Sequence, residues 1–317
     1  MRTYSKFLCL AGLVATSAGA TDYGFIAERN SPEDDFVIGV ASDSGLGGIL
    51  TIPYPLEESI TETARDGIRL ADGSYVVYNG TFDPVLSHFE DGSWNHFQFS
   101  GWTTVNNGSY GGIASNGQFV FVTDMETAGD GAAQGVVRFD LSEQEPTVRF
   151  AEDIEPIDLT IGRDGGLYIL YPGGSPSGRM IDVYNIVSLS KLATINLQDI
   201  FGFTEHRSIA VDSNGDIFIA DWDGDIQRID SSGNILHTLD LEENLYDVDL
   251  IGDEVLVGSR FGEIFILNKD FSSSASVNIE DFGNSLSDRG VFILGESVDT
   301  TFLDSLFSDR FETPQPR

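Results

Sequence analysis

The sequence is short of cysteine, histidine and basic residues, and it has no long apolar run. Its one cysteine, Cys9, lies within the first twenty residues, so a chain processed after residue 20 carries no thiol. That excludes disulfides and thiolate metal sites from the processed protein. Lysine occurs only as Lys6, Lys191 and Lys269, and basic residues total 17 against 51 acidic ones, a formal charge of -34. Such a chain does not bind nucleic acid by neutralising phosphates, and anionic membranes repel it. The four histidines, His88, His96, His206 and His237, match no metal-ligand spacing. HExxH, a phosphate-cradling glycine loop and a nucleophile elbow are absent, and the glycines of GGSPSG (173 to 178) have the wrong offset for an elbow.

The first twenty residues read as a signal peptide. Arg2 and Lys6 precede an uncharged run from Phe7 to Val14, and small residues close the segment at Ala18, Gly19 and Ala20. The run is far below the roughly 20 residues of a membrane-spanning helix. Removing residues 1 to 20 deletes Arg2 and Lys6 and takes the charge to -36. The expectation is a bacterial protein, secreted or periplasmic, monomeric, without a membrane span, and suited to saline water. Without disulfides it is held by its own core, which about 300 residues can supply.

What the chain has in abundance is glycine, 35 residues, and short β-rich runs. SIAVDSNGDIFIAD (208 to 221), DIQRID (225 to 230) and ILHTLDL (235 to 241) form a four-stranded meander, with Asn214-Gly215 at a tight turn. The order recurs at 67 to 79, 112 to 124, 158 to 171 and 247 to 259, and a weaker copy, SLSDRGVFILG, covers 285 to 295. The turn glycines are Gly73, Gly117, Gly165, Gly215, Gly252 and Gly290, 37 to 50 residues apart. A four-stranded sheet cannot bury both faces alone, so this period predicts an all-β fold, a six-bladed β-propeller. The sixth copy lacks a second hairpin, whereas FVIGVA (36 to 41) and ILTIPY (49 to 54) form an orphan one. The last blade is therefore expected to be shared, with two strands from each end of the chain. A seven-bladed ring is the rival count. Two β-sandwiches are the rival fold, but Glu152 to Pro156 is too short for their linker.

Residues 206 to 234, HRSIAVDSNGDIFIADWDGDIQRIDSSGN, resemble an NHL-type propeller repeat: a hydrophobic pair before Asp, an Asn-Gly turn, an apolar strand ending in Ala-Asp, and a short strand. Trp222-Asp223-Gly224-Asp225 stands where that family carries Asn-Asn-Arg, and Arg207 replaces its proline. More broadly the chain looks like the six-bladed group that includes gluconolactonase-like proteins, without their glutamate and asparagine metal motifs. The end of the chain, DSLFSDRFE (304 to 312), resembles an acidic and aromatic terminal signature of exported proteobacterial proteins, which implies a sorting or attachment element. The implied division is signal peptide 1–20, N-terminal extension 21–35, propeller 36–296 and tail 297–317.

In a propeller, loops leading into first strands share a face with loops leaving second strands. This rule gathers Asn79, Asp124, Tyr171, Asp221, Ser259 and Glu296 with Arg65, Asp66, Tyr110, His206, Arg207, Tyr246 and Asp247. Asp124, Asp221 and Asp247, with Asn79, offer hard oxygen ligands for Ca²⁺ or Mg²⁺. His206 is the candidate general base. Trp102, Asn106, Asn107 and Tyr110 of the loop 100 to 112, with Arg207 and Trp222, are candidate ligand contacts. Two functions compete: a binding module for a protein, glycan or small ligand, and a divalent-cation-dependent hydrolase or lactonase working at the central channel. The charge itself sets one expectation. Raising NaCl from about 0.05 to 1 M screens the acid excess, so the melting temperature should rise; a steep fall would contradict the saline assignment.

Overall fold

The computed structural model describes residues 23–29, 36–42, 45–52, 64–79, 85–91, 93–98, 111–124, 134–142, 145–173, 178–279 and 286–298. The signal segment, the loop residues 101–110 and the tail from 299 onward lie outside the described residues. Among these residues the chain is all-β apart from one short helix, α1 (Leu197–Phe201), capped by the Asn196 side chain. No helix among them is long and apolar enough to cross a membrane.

The strands follow the repeat. β1 (Tyr23–Arg29), β2 (Phe36–Ser42) and β3 (Gly45–Ile52) precede a meander of β4 (Ala64–Arg69), β5 (Tyr75–Asn79), β6 (Val85–Glu90) and β7 (Ser93–Gln98). Three further meanders are β8 (Ile113–Ser115), β9 (Phe119–Asp124), β10 (Gly135–Asp140) and β11 (Glu145–Phe150); β12 (Asp158–Ile161), β13 (Gly166–Pro172), β14 (Arg179–Asn185) and β15 (Lys191–Asn196); and β16 (His206–Val211), β17 (Ile217–Asp221), β18 (Asp225–Ile229) and β19 (Ile235–Asp240). The last is β20 (Leu245–Ile251), β21 (Glu254–Ser259), β22 (Glu263–Asn268) and β23 (Ser274–Asn278), followed by β24 (Leu286–Glu296). Gly73, Gly117, Gly165, Gly215 and Gly252 all sit in first-to-second turns with φ between 63° and 87°. That is the left-handed region a tight turn needs.

The first strands make a closed ring. β4 lies against β8, β8 against β12, β12 against β16, β16 against β20, β20 against β24, and β24 against β4. Burial falls from this ring outwards. Every residue of β17 is buried, whereas β15 and β19 are largely exposed. The apolar core lies between neighbouring sheets: Phe121 and Ile169 meet in one seam, Ile181 and Ile219 in the next, Phe218 and Val257 in a third.

The count of sheets differs from expectation. Four sheets have four strands, and one has eight, in the order β3-β2-β1-β24-β4-β5-β6-β7. By hydrogen bonding the ring has five blades, one of double width, where six separate ones were expected. The two halves merge because β24 pairs in parallel with β4, Leu294 opposite Gly67 and Gly295 opposite Ile68. Glycine at 67 permits this approach, since a Cβ there would stand 2.3 Å from Ile26 Cδ1 and 2.9 Å from Leu294 Cδ2.

The chain ends do share a sheet, in different proportion. One C-terminal strand, β24, pairs with β1, and β1 leads on to β2 and β3, so the N-terminus supplies three strands rather than two. β1 falls in 23–29, which was expected to be an extension ahead of the propeller. Gly290 has φ 98°, yet it makes no hairpin: residues 286–296 form one continuous strand. β1 pairs with Val291 to Ile293 and again with Leu286, and the register shifts between Ala27 and Arg29, so residues 287–290 make a bulge in the pairing rather than a hairpin.

Closure predicts a sensitive position. A Cβ at Gly258 of β21 would lie 2.0 Å from the Val291 carbonyl oxygen of β24. Overpacking against backbone costs about 1–3 kcal/mol. Gly258→Ala should therefore lower unfolding free energy by about 2 kcal/mol in urea titration, and unchanged stability would mean that β21 and β24 are not in contact.

Candidate functional site on one rim

The connection into a first strand and the connection out of a second strand lie at the same end of a meander. In three of the ring strands the start carries the same irregularity. Register shifts between Ala64 and Asp66, between His206 and Ser208, and between Leu245 and Asp247. Each shift leaves one extra residue, Arg65, Arg207 or Tyr246, and such bulges re-aim side chains at the edge of a sheet.

Two of these bulged residues meet. The Arg207 guanidinium lies 4.4 Å from the Trp222 ring centroid and 6.0 Å from that of Tyr246. Arg260 lies 5.4 Å from Trp222 and 5.4 Å from Phe261. Trp222 meets Tyr246 edge to face at 5.4 Å, and Tyr246 meets Phe292 at 5.9 Å. The loops are laced together by Trp222 N–H to the Glu205 carbonyl (3.0 Å), Arg260 N–H to the Asn244 carbonyl (2.8 Å) and Asn244 Nδ2 to the Trp222 carbonyl (2.6 Å). Arg207 also donates to Glu205 Oε1 at 2.6 Å. Phe203 and Phe261, in loops at this same end, are 72% and 52% exposed. Two guanidinium groups, a half-buried indole and two exposed phenyl rings thus share one side of a strongly acidic protein.

The other predicted residues are placed differently. His206 is fully buried, with Nε2 2.8 Å from Thr204 Oγ1 and 3.2 Å from Gln227 Oε1, and its ring stands against Phe201. Burial pushes it down to about 4, so it is neutral at pH 7. Asp221 Oδ2 lies 3.9 Å from His206 Nε2, and Asp221 Oδ1 accepts the Asp223 N–H at 2.7 Å. Burial raises the Asp221 carboxyl. Asp124, at the end of β9, is wholly buried and pairs with Arg149. Asp247 accepts from Ser208 Oγ at 2.8 Å and from the Ile293 N–H at 2.6 Å.

Asp124, Asp221 and Asp247 therefore sit on three different sheets, each with its own partners. Among the described residues no three His, Cys, Asp or Glu side chains gather closely enough to hold a metal ion. Asn79 ends β5 opposite Ala64; its side chain is outside the described atoms, as are Trp102, Asn106, Asn107 and Tyr110 entirely. Ser259 caps its turn, accepting the N–H groups of Phe261 and Glu263 at 3.2 and 3.0 Å. Tyr171 donates to Asp182 at 3.2 Å. Glu296 leaves the rim set: β24 is a first strand, so its C-terminal end lies with the opposite turns, where Ser297 N–H bonds the Arg69 carbonyl.

Sequence reading missed Arg260, Phe261 and Phe203. Arg260-Phe261 follows Ser259 as Trp222 follows Asp221, and this second-strand equivalence was the available signal.

Comparison of the coordinates with solved structures settles the architecture. A chain of the nidogen–laminin complex matches with a TM-score of 0.63 at 11% identity, over 86% of this chain and 98% of that one. The fold is a β-propeller. An extracellular domain from B. thetaiotaomicron, assigned to a one-component system, matches with a TM-score of 0.53 at 10% identity over 86% of this chain, which spans 40% of that longer one. Kuenenia stuttgartiensis hydrazine synthase matches with a TM-score of 0.50 at 15% identity, over 76% of this chain and 75% of that one. No protein-family model and no curated protein matches the sequence. At these identities the likeness concerns the fold alone.

The His206 environment is testable. Because the folded ring releases its proton more readily than the unfolded chain, this residue favours folding above pH 6.5, and its contribution fades as pH falls towards 4. Its imidazole resonances should titrate near pH 4 by NMR; a midpoint near the ordinary 6.5 would place the ring in solvent.

Proposed function

We propose that this chain is an exported β-propeller that acts as a binding module for a protein, glycan or small ligand, and that it meets this ligand with the rim of Arg207, Trp222, Arg260 and Phe261. The eight-stranded sheet counts as two blades in this reading, giving six with the last shared between the chain ends, as in the NHL-like group.

The observation that carries the proposal is the arginine and tryptophan stack. Aromatic and arginine side chains dominate the energetically important centres of interfaces, and guanidinium groups over an indole combine directional donors with apolar area. Phe203 and Phe261 extend that area into solvent. His206, by contrast, is enclosed by Thr204, Gln227 and Phe201. The similar nidogen–laminin chain comes from a complex between two proteins, which accords with a role in recognition.

A direct test is a panel of immobilised glycans and secreted proteins probed with the processed chain, followed by affinity measurement on the strongest hit. Trp222→Ala and Arg260→Ala should each weaken that binding by at least about tenfold, equivalent to about 1.4 kcal/mol, at a temperature where both variants remain folded by circular dichroism. Full retention of affinity by both variants, or no saturable binding anywhere on the panel, would overturn the proposal.

A further inference from the structure

The ring of first strands carries an aspartate on every second member. Asp66 stands on β4, Asp158 on β12 and Asp247 on β20, and each reaches across to the backbone of the next ring strand. Asp66 Oδ2 accepts the Ile113 N–H of β8 at 2.9 Å, Asp158 Oδ2 accepts the Ile209 N–H of β16 at 2.8 Å, and Asp247 Oδ2 accepts the Ile293 N–H of β24 at 2.6 Å. The residue just before each donor is Gly112, Ser208 or Phe292. At Gly112 a Cβ would lie 2.2 Å from Asp158 Oδ1, so that strand makes room for the neighbouring carboxyl. All three aspartates are buried, and among the described residues none forms an ion pair with a lysine or arginine.

We propose that Asp66 and Asp158, facing Asp247 around the ring, are a proton-held clasp that ties neighbouring blades together most firmly in acid and loosens progressively as pH rises to mildly alkaline values. Three buried carboxyls that repel one another cannot all carry charge cheaply out of water. Burial is the main cause that raises Asp66 well above the usual carboxylate range, and it pushes Asp158 up to about 8; repulsion from Asp247 adds to both, and from Asp158 to Asp66.

Backbone donors at Ile113, Gly67 and Ile209 and the Ser208 hydroxyl oppose the rise without cancelling it, and the described neighbours bring no free cation. β5, β8 and β13 present no charged side chain, and β9 presents Asp124, already paired with Arg149. β16 presents neutral His206 and Arg207, which is engaged by Glu205; β20 adds Asp249, and Glu296 of β24 acts on Asp249. Arg69 of β4 is exposed. Of β1, the side chains described carry no charge.

The sign follows from linkage. Groups whose folded pKa is raised stabilise the fold fully below the unfolded value, and that stability drains away as pH rises through the folded value. For Asp158 the window runs from the ordinary 3.8 to about 8.

The experiment compares melting temperature at pH 5 and pH 9 for the full chain, Asp66→Asn, Asp158→Asn and the exposed control Asp253→Asn. Asparagine keeps the oxygen that accepts the strand N–H and replaces the held proton with an amide. Asp66→Asn and Asp158→Asn should each melt at least about 3 °C above the parent at pH 9 and close to it at pH 5, with Asp253→Asn following the parent. A variant that follows the parent at both values overturns the proposal. If neither variant folds, infrared spectroscopy of the parent decides: the carbonyl stretch of a protonated carboxyl should persist at pH 7 and vanish by pH 10. Its absence at pH 7 overturns the clasp without touching the rim proposal.

Discussion

A β-sheet with apolar side chains on both faces must be covered twice, and a row of such sheets always leaves its two end faces bare. Bending the row into a ring removes both ends, and here the ring is completed by backbone hydrogen bonds between β1 and β24. Everything else hangs on that pairing. It covers the outer face of the β20 to β23 sheet with Tyr23, Phe25, Val291 and Ile293, and it brings β24 against β4, where Gly67 lets the strands pair directly. Among the described residues no other strand pairing joins segments so far apart in the chain.

The closed ring also decides where charge sits. The chain carries a large acid excess, yet Asp66, Asp158, Asp182, Asp124 and Asp247 are buried. Some are offset by a base: Asp124 by Arg149, Asp182 by Lys191 at 2.6 Å. Those around the ring are met by backbone N–H groups. The scarce arginines Arg207 and Arg260 stand instead at the rim, stacked on Trp222. An acidic body thus keeps carboxyls buried on the ring and sets Arg207 and Arg260 at one mouth, the arrangement on which the proposed recognition rests.

Much of the fold is legible in the chain. Five glycines in the repeat, from Gly73 to Gly252, mark turns because a left-handed φ is a local demand that glycine meets. Gly290 misleads for the same reason: a positive φ within an apolar run reads as a hairpin, whereas in the fold it falls in a bulge of β24 against β1. The rim was half legible. Arg207 and Trp222 stand out by departing from the NHL-like pattern, whereas Arg260 and Phe261 sit in a repeat whose likeness to that pattern is weak. Asp124 and Asp221 look like paired ligands in the chain. Asp124 proves to be matched to Arg149, and Asp221 lies beside His206, pairings that depend on how third, fourth and first strands are laid beside the second.

The sequence by itself determined the strands, their tight turns and the period that demands stacked sheets, because alternation of side chains and the conformations open to glycine operate within a few residues. Tertiary structure decided how many sheets are distinct, which end supplies the closing strands, and which polar groups converge. Those outcomes rest on contacts between residues tens to hundreds of positions apart, such as Ile26 on Gly67 and Asp247 on Ile293. Such contacts come into being only when the ring closes and burial sets the energy of each group.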